Sequence, residues 1–314
     1  MEVERFRSML KENFKCSEGG LANWCLGMEI LQNENGICLN QNQYVKQKLE
    51  EFNHVLEKDI KRKTPLDPKF QSVLEQAEQS TETEQNFPYR SIVGSLMYLA
   101  TGTRPDILTA VSIASRYCSN PKKVHCNMVR QILYYLRQQT QYCIFYQKGS
   151  DSEIRGYCDS SWANNEDYSS ISGFLFLMGN SLICWSSKKQ PVIALSSTEA
   201  EYVAVSSATQ EALWLKSLMK ELGFNQGCIN IYEDNEACIN LSKNPQEFKR
   251  TRHIQVKYHF IRFHVKNNNV KLVYCPTQKQ LSDFLTKGVT GTHLNESLRQ
   301  IGLAHTISHG GELE

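Results

Sequence analysis

The stretch from Ile154 to Leu222 constrains the fold most. Ile154–Cys158, Ser170–Met178 and Ser181–Ser187 are strand-length apolar runs, and Met178-Gly179-Asn180 supplies a tight hairpin turn. A long helical pattern, Ser197–Leu222, follows and stops at Gly223, a residue suited to the position after a helix end. Strand Cys228–Tyr232, short helix Asn235–Ser242, helix Arg250–Lys266, strand Val270–Cys275 and a last helix from near Thr277 complete the series. The order βββ-α-β-α-α-β-α calls for one mixed sheet with helices packed on it.

Ahead of this lies a different pattern. Asn23–Leu31 and Gly36–Asn40 flank the polar turn Gln32–Asn35 and read as a β-hairpin, with a helix over Gln43–Leu56. Tyr89–Ala100 and Asp106–Tyr117 read as helices, and Lys123–Gln138 keeps Val129, Ile132, Leu133 and Leu136 on one face. Between the two parts, Ser72–Asn86 carries four glutamates and little to bury, the composition of a solvated linker. The resulting division is 1–71, an acidic linker 72–86, a helical region 87–150, an α/β region 151–290 and a tail 291–314.

Composition adds exclusions. Lys+Arg 35 against Asp+Glu 33 gives a net charge of +2, so any polyanion-binding surface must be local. No apolar run approaches the roughly 18 residues of a membrane helix, and MEVERFRSML lacks an apolar signal core. A soluble intracellular protein without membrane contact is expected. The 11 cysteines are scattered without a CxxC pair, which suits buried thiols better than a disulfide scaffold.

Four carboxylates stand out. Asp159 and Asp234 fall at the carboxyl ends of two strands, the edge where open α/β sheets collect ligands. Ser196 to Glu199 fits a capping box, as does Thr198 to Glu201. Helix phase separates the two acids: Glu201 shares a row with Val205, Ala208, Ala212 and Leu215, the face turned to the sheet. Asp283 falls in the first turns of the last helix. An all-oxygen set of Asp159, Glu201, Asp234 and Asp283 suits Mg²⁺ or Mn²⁺, and two such ions together would serve phosphoryl chemistry. From Lys243 to Lys271 eight Lys/Arg face one acid, Glu247, with aromatics interleaved. Lys249, Arg250, Arg252, His253, Lys257 and Arg262 are the candidate nucleic-acid contacts in that run.

These residues resemble the carboxyl-terminal part of the Pol polyprotein of copia-type LTR retrotransposons. Tyr89-Arg90, Val93-Gly94-Ser95-Leu96, Tyr98-Leu99 and Thr103-Arg104-Pro105-Asp106-Ile107 are similar to the block closing the reverse-transcriptase region. Trp185, Ser187-Lys188-Lys189-Gln190, Ser196-Ser197 and Glu199-Ala200-Glu201-Tyr202 are similar to the ribonuclease H block. So are Asp234-Asn235, Arg250-Thr251-Arg252-His253-Ile254, Tyr258-His259-Phe260-Ile261-Arg262, and Gln280-Leu281 with Asp283, Thr286 and Lys287. The resemblance implies a ribonuclease H-like mixed five-stranded sheet with flanking helices over 151–290. It places the family's metal-binding carboxylates on Asp159, Glu201, Asp234 and Asp283, with two divalent ions cleaving the RNA strand of RNA–DNA hybrids.

Glu236, Ser282 and Ser160-Ser161 depart from the usual pattern but spare those four. No counterpart of the histidine-bearing loop of many cellular ribonucleases H precedes Asp283, and His253 is the available substitute. The chain has no Asp-Asp pair, so polymerase activity is not expected. Residues 1–71 then correspond to the end of the palm and 87–150 to thumb and connection. The missing amino-terminal part of the polyprotein would be a partner, and the setting cytoplasmic, in a virus-like particle, or nuclear. Exposed apolar surface is expected around Trp24–Ile30 and Leu96–Leu99. The alternative reading is a catalytically idle or host-adopted remnant that binds nucleic acid or a partner protein.

Overall fold

The computed structural model describes residues 2–16, 19–58, 60–78, 81–163, 167–243 and 255–305. Its first half runs α1 (Glu2–Asn13), β1 (Trp24–Cys25), β2 (Met28–Asn33), β3 (Gly36–Asn40), α2 (Asn42–Glu51), α3 (Phe70–Glu78), α4 (Tyr89–Gly102), α5 (Leu108–Ser115), α6 (Lys123–Gln138) and β4 (Tyr142–Gln147). The second half runs β5 (Ile154–Ser161), β6 (Ile171–Met178), β7 (Ser181–Lys189), α7 (Ser197–Glu221), β8 (Ile229–Glu233), α8 (Glu236–Lys243), α9 (Gln255–Lys266), β9 (Val270–Tyr274), α10 (Gly291–Gln300) and β10 (Leu303–His305).

Two sheets result. The first is antiparallel, in the order β1-β2-β3-β4-β10, so the hairpin near the start is joined by a strand before the second half and by the last one after it. The second has the order β7-β6-β5-β8-β9: β5, β6 and β7 are antiparallel, while β8 lies parallel to β5 and β9 parallel to β8. This is the ribonuclease H-like five-stranded mixed sheet.

Strand β6 is buried along almost its whole length because both faces are covered. Phe174 and Phe176 face the core under α7, whereas Ile171, Leu175 and Leu177 face a second core with Leu182, Phe284 and the helices α4, α5 and α6. Hydrogen bonds cross this second boundary: Trp185 Nε1 donates to Ala100 O at 2.9 Å, Thr109 Oγ1 to Phe284 O at 2.8 Å and Ser112 Oγ to Ser187 O at 3.2 Å. The helices of the first half are therefore a layer on the second sheet. Leu294 and Leu298 of α10 enter the same core, and Leu303 of β10 pairs with Ile144 of β4.

The Thr103-to-Ile107 motif has a structural role. Arg104 and Asp106 are both buried and paired, Nη2 to Oδ2 at 2.7 Å. Tyr135 donates to Asp106 Oδ2 at 2.9 Å and Arg104 Nη1 donates to Gln139 O at 2.7 Å, which ties the α4–α5 corner to the end of α6.

Several expectations are corrected. The composition of 72–86 suggests a loop, but Phe70 and Leu74 are buried on α3, and two apolar residues one turn apart suffice to dock a short polar helix. Beyond it, Glu84 pairs with Arg130 and Glu82 with Lys123, so the acidic stretch is held against α6. Leu96 and Leu99 are buried in the helical core, while Trp24 and Leu26 are exposed. The last helix does not start near Thr277: two single 3₁₀ turns, Thr277–Lys279 and Asp283–Leu285, occupy that stretch and α10 begins at Gly291. The expected start of α9 at Arg250 falls outside the described residues.

Candidate active site

Strand β5 runs on to Ser161, so Asp159 lies within it, opposite Gly173 of β6. Tyr157 pairs with Tyr232 of β8 in the parallel register, and the chain leaves β8 at Glu233, which puts Asp234 beside Asp159. Helix α7 begins with Ser196 as N-cap, its side chain accepting from Glu199 N at 3.2 Å. Glu199 Oε2 accepts from Leu195 N at 2.8 Å, one residue before the cap, so the reciprocal half of the box is displaced by one position. Glu201, one turn into the helix, points into the cleft.

Asp159, Glu201 and Asp234 converge: each offers a carboxylate oxygen, and all three lie within 4.8 Å of one another. Asp159 is buried and Glu201 is 7% exposed, with its Oε2 making no hydrogen bond. Thr277 Oγ1 donates to Asp234 Oδ2 at 2.7 Å. Burial pushes the Asp159 carboxyl up to about 7, with Lys287 opposing the rise and Asp283 adding to it. Burial, then the charges of Glu233 and Asp159, raise Glu201 well above the usual range. Buried like charges that resist joint ionisation are what a divalent cation compensates. The all-oxygen donors and the unpartnered Glu201 Oε2 fit a hard cation.

Asp283 is close by but differently engaged. Its Oδ1 lies 2.9 Å from Lys287 Nζ and its Oδ2 lies 3.5 Å from His293 Nε2. Lys287 Nζ is also 3.6 Å from Asp159 Oδ2, and the Thr286 hydroxyl donates to that same carboxylate. The segment is fixed from behind by Gln280, fully buried, which donates to Cys158 O at 2.8 Å and accepts from Ser282 Oγ at 2.9 Å.

Of the basic run, Lys257 and Arg262 lie on α9, both half-buried, with Arg262 Nη2 3.2 Å from His259 Nδ1. Lys249, Arg250, Arg252 and His253 fall outside the described residues.

Four further residues have roles the sequence reading did not assign. Gln280, Thr286 and Lys287 belong to recognisable motifs, but only the folded turn shows what they touch. Glu233 is fully buried, 3.2 Å from Cys158 Sγ and accepting from Asn235 N at 3.1 Å. Its signal is the alternation in INIYE, where Ile229, Ile231 and Glu233 share the inward face.

A five-stranded mixed sheet with convergent carboxylates at its central strands defines a ribonuclease H-like α/β fold. No family model matches the sequence. The chain is 37% identical over 293 residues to the retrovirus-related Pol polyprotein from transposon TNT 1-94 of Nicotiana tabacum, covering 91% of this chain and 22% of that one. It is 35% identical over 296 residues to the corresponding polyprotein from transposon RE1 of Arabidopsis thaliana, covering 94% and 20%. The chain belongs to this family of copia-type retrotransposon Pol polyproteins, and it spans about a fifth of the length of the curated relatives it matches. Among solved structures it is similar to LC11-RNase H1 in complex with an RNA/DNA hybrid, at 15% identity over 46% of this chain and 99% of that one, with a TM-score of 0.34.

Proposed function

We propose that the chain hydrolyses the RNA strand of RNA–DNA hybrids as the ribonuclease H part of a retrotransposon polyprotein. The observation that carries this reading is the convergence of Asp159, Glu201 and Asp234 within 4.8 Å, brought together by β5, the start of α7 and the end of β8. A bound Mg²⁺ or Mn²⁺ would supply Lewis acidity toward the scissile phosphate and lower the pKa of a water. Asp159, Glu201 and Asp234 would hold that ion. Thr286 and Thr277 orient the carboxylates of Asp159 and Asp234 by hydroxyl donation, and Asp283 lies at the same edge of the sheet. Lys257 and Arg262, with Lys249, Arg250, Arg252 and His253, are the cationic groups assigned to the hybrid backbone. A-form-like duplexes are held through shape, phosphates and 2′-hydroxyls, so base preference should be weak.

The test is a labelled hybrid incubated with the purified chain and Mg²⁺, beside Asp159→Asn and Asp234→Asn. Hybrid-specific cleavage lost in both variants supports the nuclease. Tight hybrid binding without cleavage in Mg²⁺ or Mn²⁺ would instead favour an idle, binding-only remnant.

A further inference from the structure

A second cationic surface lies across the cleft from α9. Lys61, Arg62 and Lys63 are consecutive and exposed, and no ion pair reaches them among the described residues. Their backbone is nevertheless fixed. Arg137 Nη2 donates to Ile60 O at 2.9 Å, Gln138 Nε2 to Arg62 O at 2.8 Å and Gln131 Nε2 to Thr64 O at 3.3 Å, so side chains of α6 hold every second carbonyl from 60 to 64. Pro65 and Leu66 are buried directly after it. The next acid, Asp67, is engaged in its own turn, its Oδ1 accepting from Lys69 N at 2.8 Å. Three like charges held side by side repel one another, and a polyanion relieves that repulsion.

The segment abuts the turn that carries Asp283. A Cβ on Gly291 would lie 3.2 Å from Lys63 Cβ, and one on Gly288 would collide with Asp67 O. Gly288 follows Lys287, whose Nζ reaches Asp283 Oδ1 at 2.9 Å and Asp159 Oδ2 at 3.6 Å. Lys287 and Gly291 are four residues apart in sequence, at most roughly 14 Å of chain. Leu66 lies in the core shared with Leu294 and Leu175 of β6, whereas Tyr258 and Ile261 of α9 lie in the core under α7. The acidic cleft therefore has cations on both faces of the second sheet.

We infer that Lys61, Arg62 and Lys63 bind the sugar-phosphate backbone of the duplex that lies over the cleft, as a second contact surface opposite α9. The inference takes its ligand from the nuclease reading and adds which part of the first half holds it. A duplex carries one charge per roughly 1.7 Å of axis, so about 14 Å between cleft and segment spans about eight phosphates. The run of three cations offers no aromatic ring on which an unpaired base could stack, which favours the backbone of a duplex over a single strand. Anchoring the backbone on α6 leaves only the side chains to be ordered on binding, which lowers the entropy cost. The helices of the first half then do more than cover β6: they place the duplex.

The experiment measures Kd of the full chain for a labelled RNA–DNA hybrid, in chelator so that no cleavage intervenes, over a series of salt concentrations. The variants are Lys61→Ala, Arg62→Ala and Lys63→Ala combined, the same three positions changed to Gln, and Lys220→Ala, exposed in the last turn of α7, as a charge control. The slope of log affinity against log salt should become shallower by about 2 in both triple variants, from three phosphate contacts at roughly 0.7–0.9 each. It should keep its wild-type value in Lys220→Ala, and single-stranded RNA of the same sequence should lose less. Either triple variant suffices if the other fails to fold, as judged by circular dichroism. A wild-type slope on the hybrid in a folded triple variant, an equal change in Lys220→Ala, or a greater loss on the single strand overturns the inference. Cleavage by wild type in Mg²⁺ or Mn²⁺, measured alongside, separates the two readings. Cleavage with an unchanged slope in the triple variants removes only the second surface, whereas a shallower slope without any cleavage removes the nuclease reading and leaves the surface.

Discussion

Asp159 and Gly173 sit directly opposite each other in the β5–β6 register, and the space a side chain at Gly173 would fill is taken by Thr286 and Leu285. A Cβ on Gly173 would lie 2.6 Å from Thr286 Cγ2 and 2.9 Å from Leu285 Cβ. The missing side chain is what lets the turn carrying Asp283 close over the strand carrying Asp159. Gly173→Ala should therefore cost about 1–3 kcal/mol through overpacking and lower hybrid cleavage more than tenfold. Thermal melts paired with cleavage rates check this, and an unchanged rate would show that the turn's approach does not matter to the site.

Asp106→Asn leaves Arg104 buried without its counter-charge. A cost of about 3–5 kcal/mol in unfolding free energy is expected. Urea denaturation measures it, and cleavage per folded molecule should stay near the wild-type value because the pair lies in the helical layer.

Gln280→Leu removes the donor to Cys158 O and the acceptor for Ser282 while keeping the volume similar. Leaving a buried carbonyl and hydroxyl unpaired should cost about 1–3 kcal/mol. A fall in kcat larger than the change in KM would mark Gln280 as positioning Asp283. Equal effects on both would mark it as general scaffolding.

In the metal-free chain the Asp159 carboxyl is raised to about 7, chiefly by burial. A group raised in the folded state contributes stability that is fully present below its unfolded value near 4 and is lost as pH rises through about 7. In chelator, the wild-type melting temperature should fall across that window relative to Asp159→Asn, a difference worth up to about 4 kcal/mol. Saturating Mn²⁺ should flatten the difference. Parallel pH profiles in chelator would contradict it.

The legible parts of the chain were those where one segment's own pattern decides its place. Helix α6 follows from its apolar row, the β6–β7 hairpin from Gly179, and Glu201 rather than Glu199 from helix phase. Asp234 follows from the end of β8, whereas Asp159 lies within β5, which continues to Ser161. What stayed hidden depends on distant partners. Strand β4 needs β3 and β10 to be a strand, α3 needs a groove for only Phe70 and Leu74, and the turns after Thr277 are set by Gln280 reaching β5.

The shared core between the early helices and β6–β7 bears on how this polypeptide can be divided. Excising 151–290 would strip the cover from Ile171, Leu175, Leu177 and Leu182, and would also remove Leu294 and Leu298 from beneath them. The first half alone would lose Leu303, Phe284 and the edge pairing of β4. The core under α7, from Ile154 to Leu272, stays whole within 151–290, so what such a cut uncovers is the opposite face of β6 and β7.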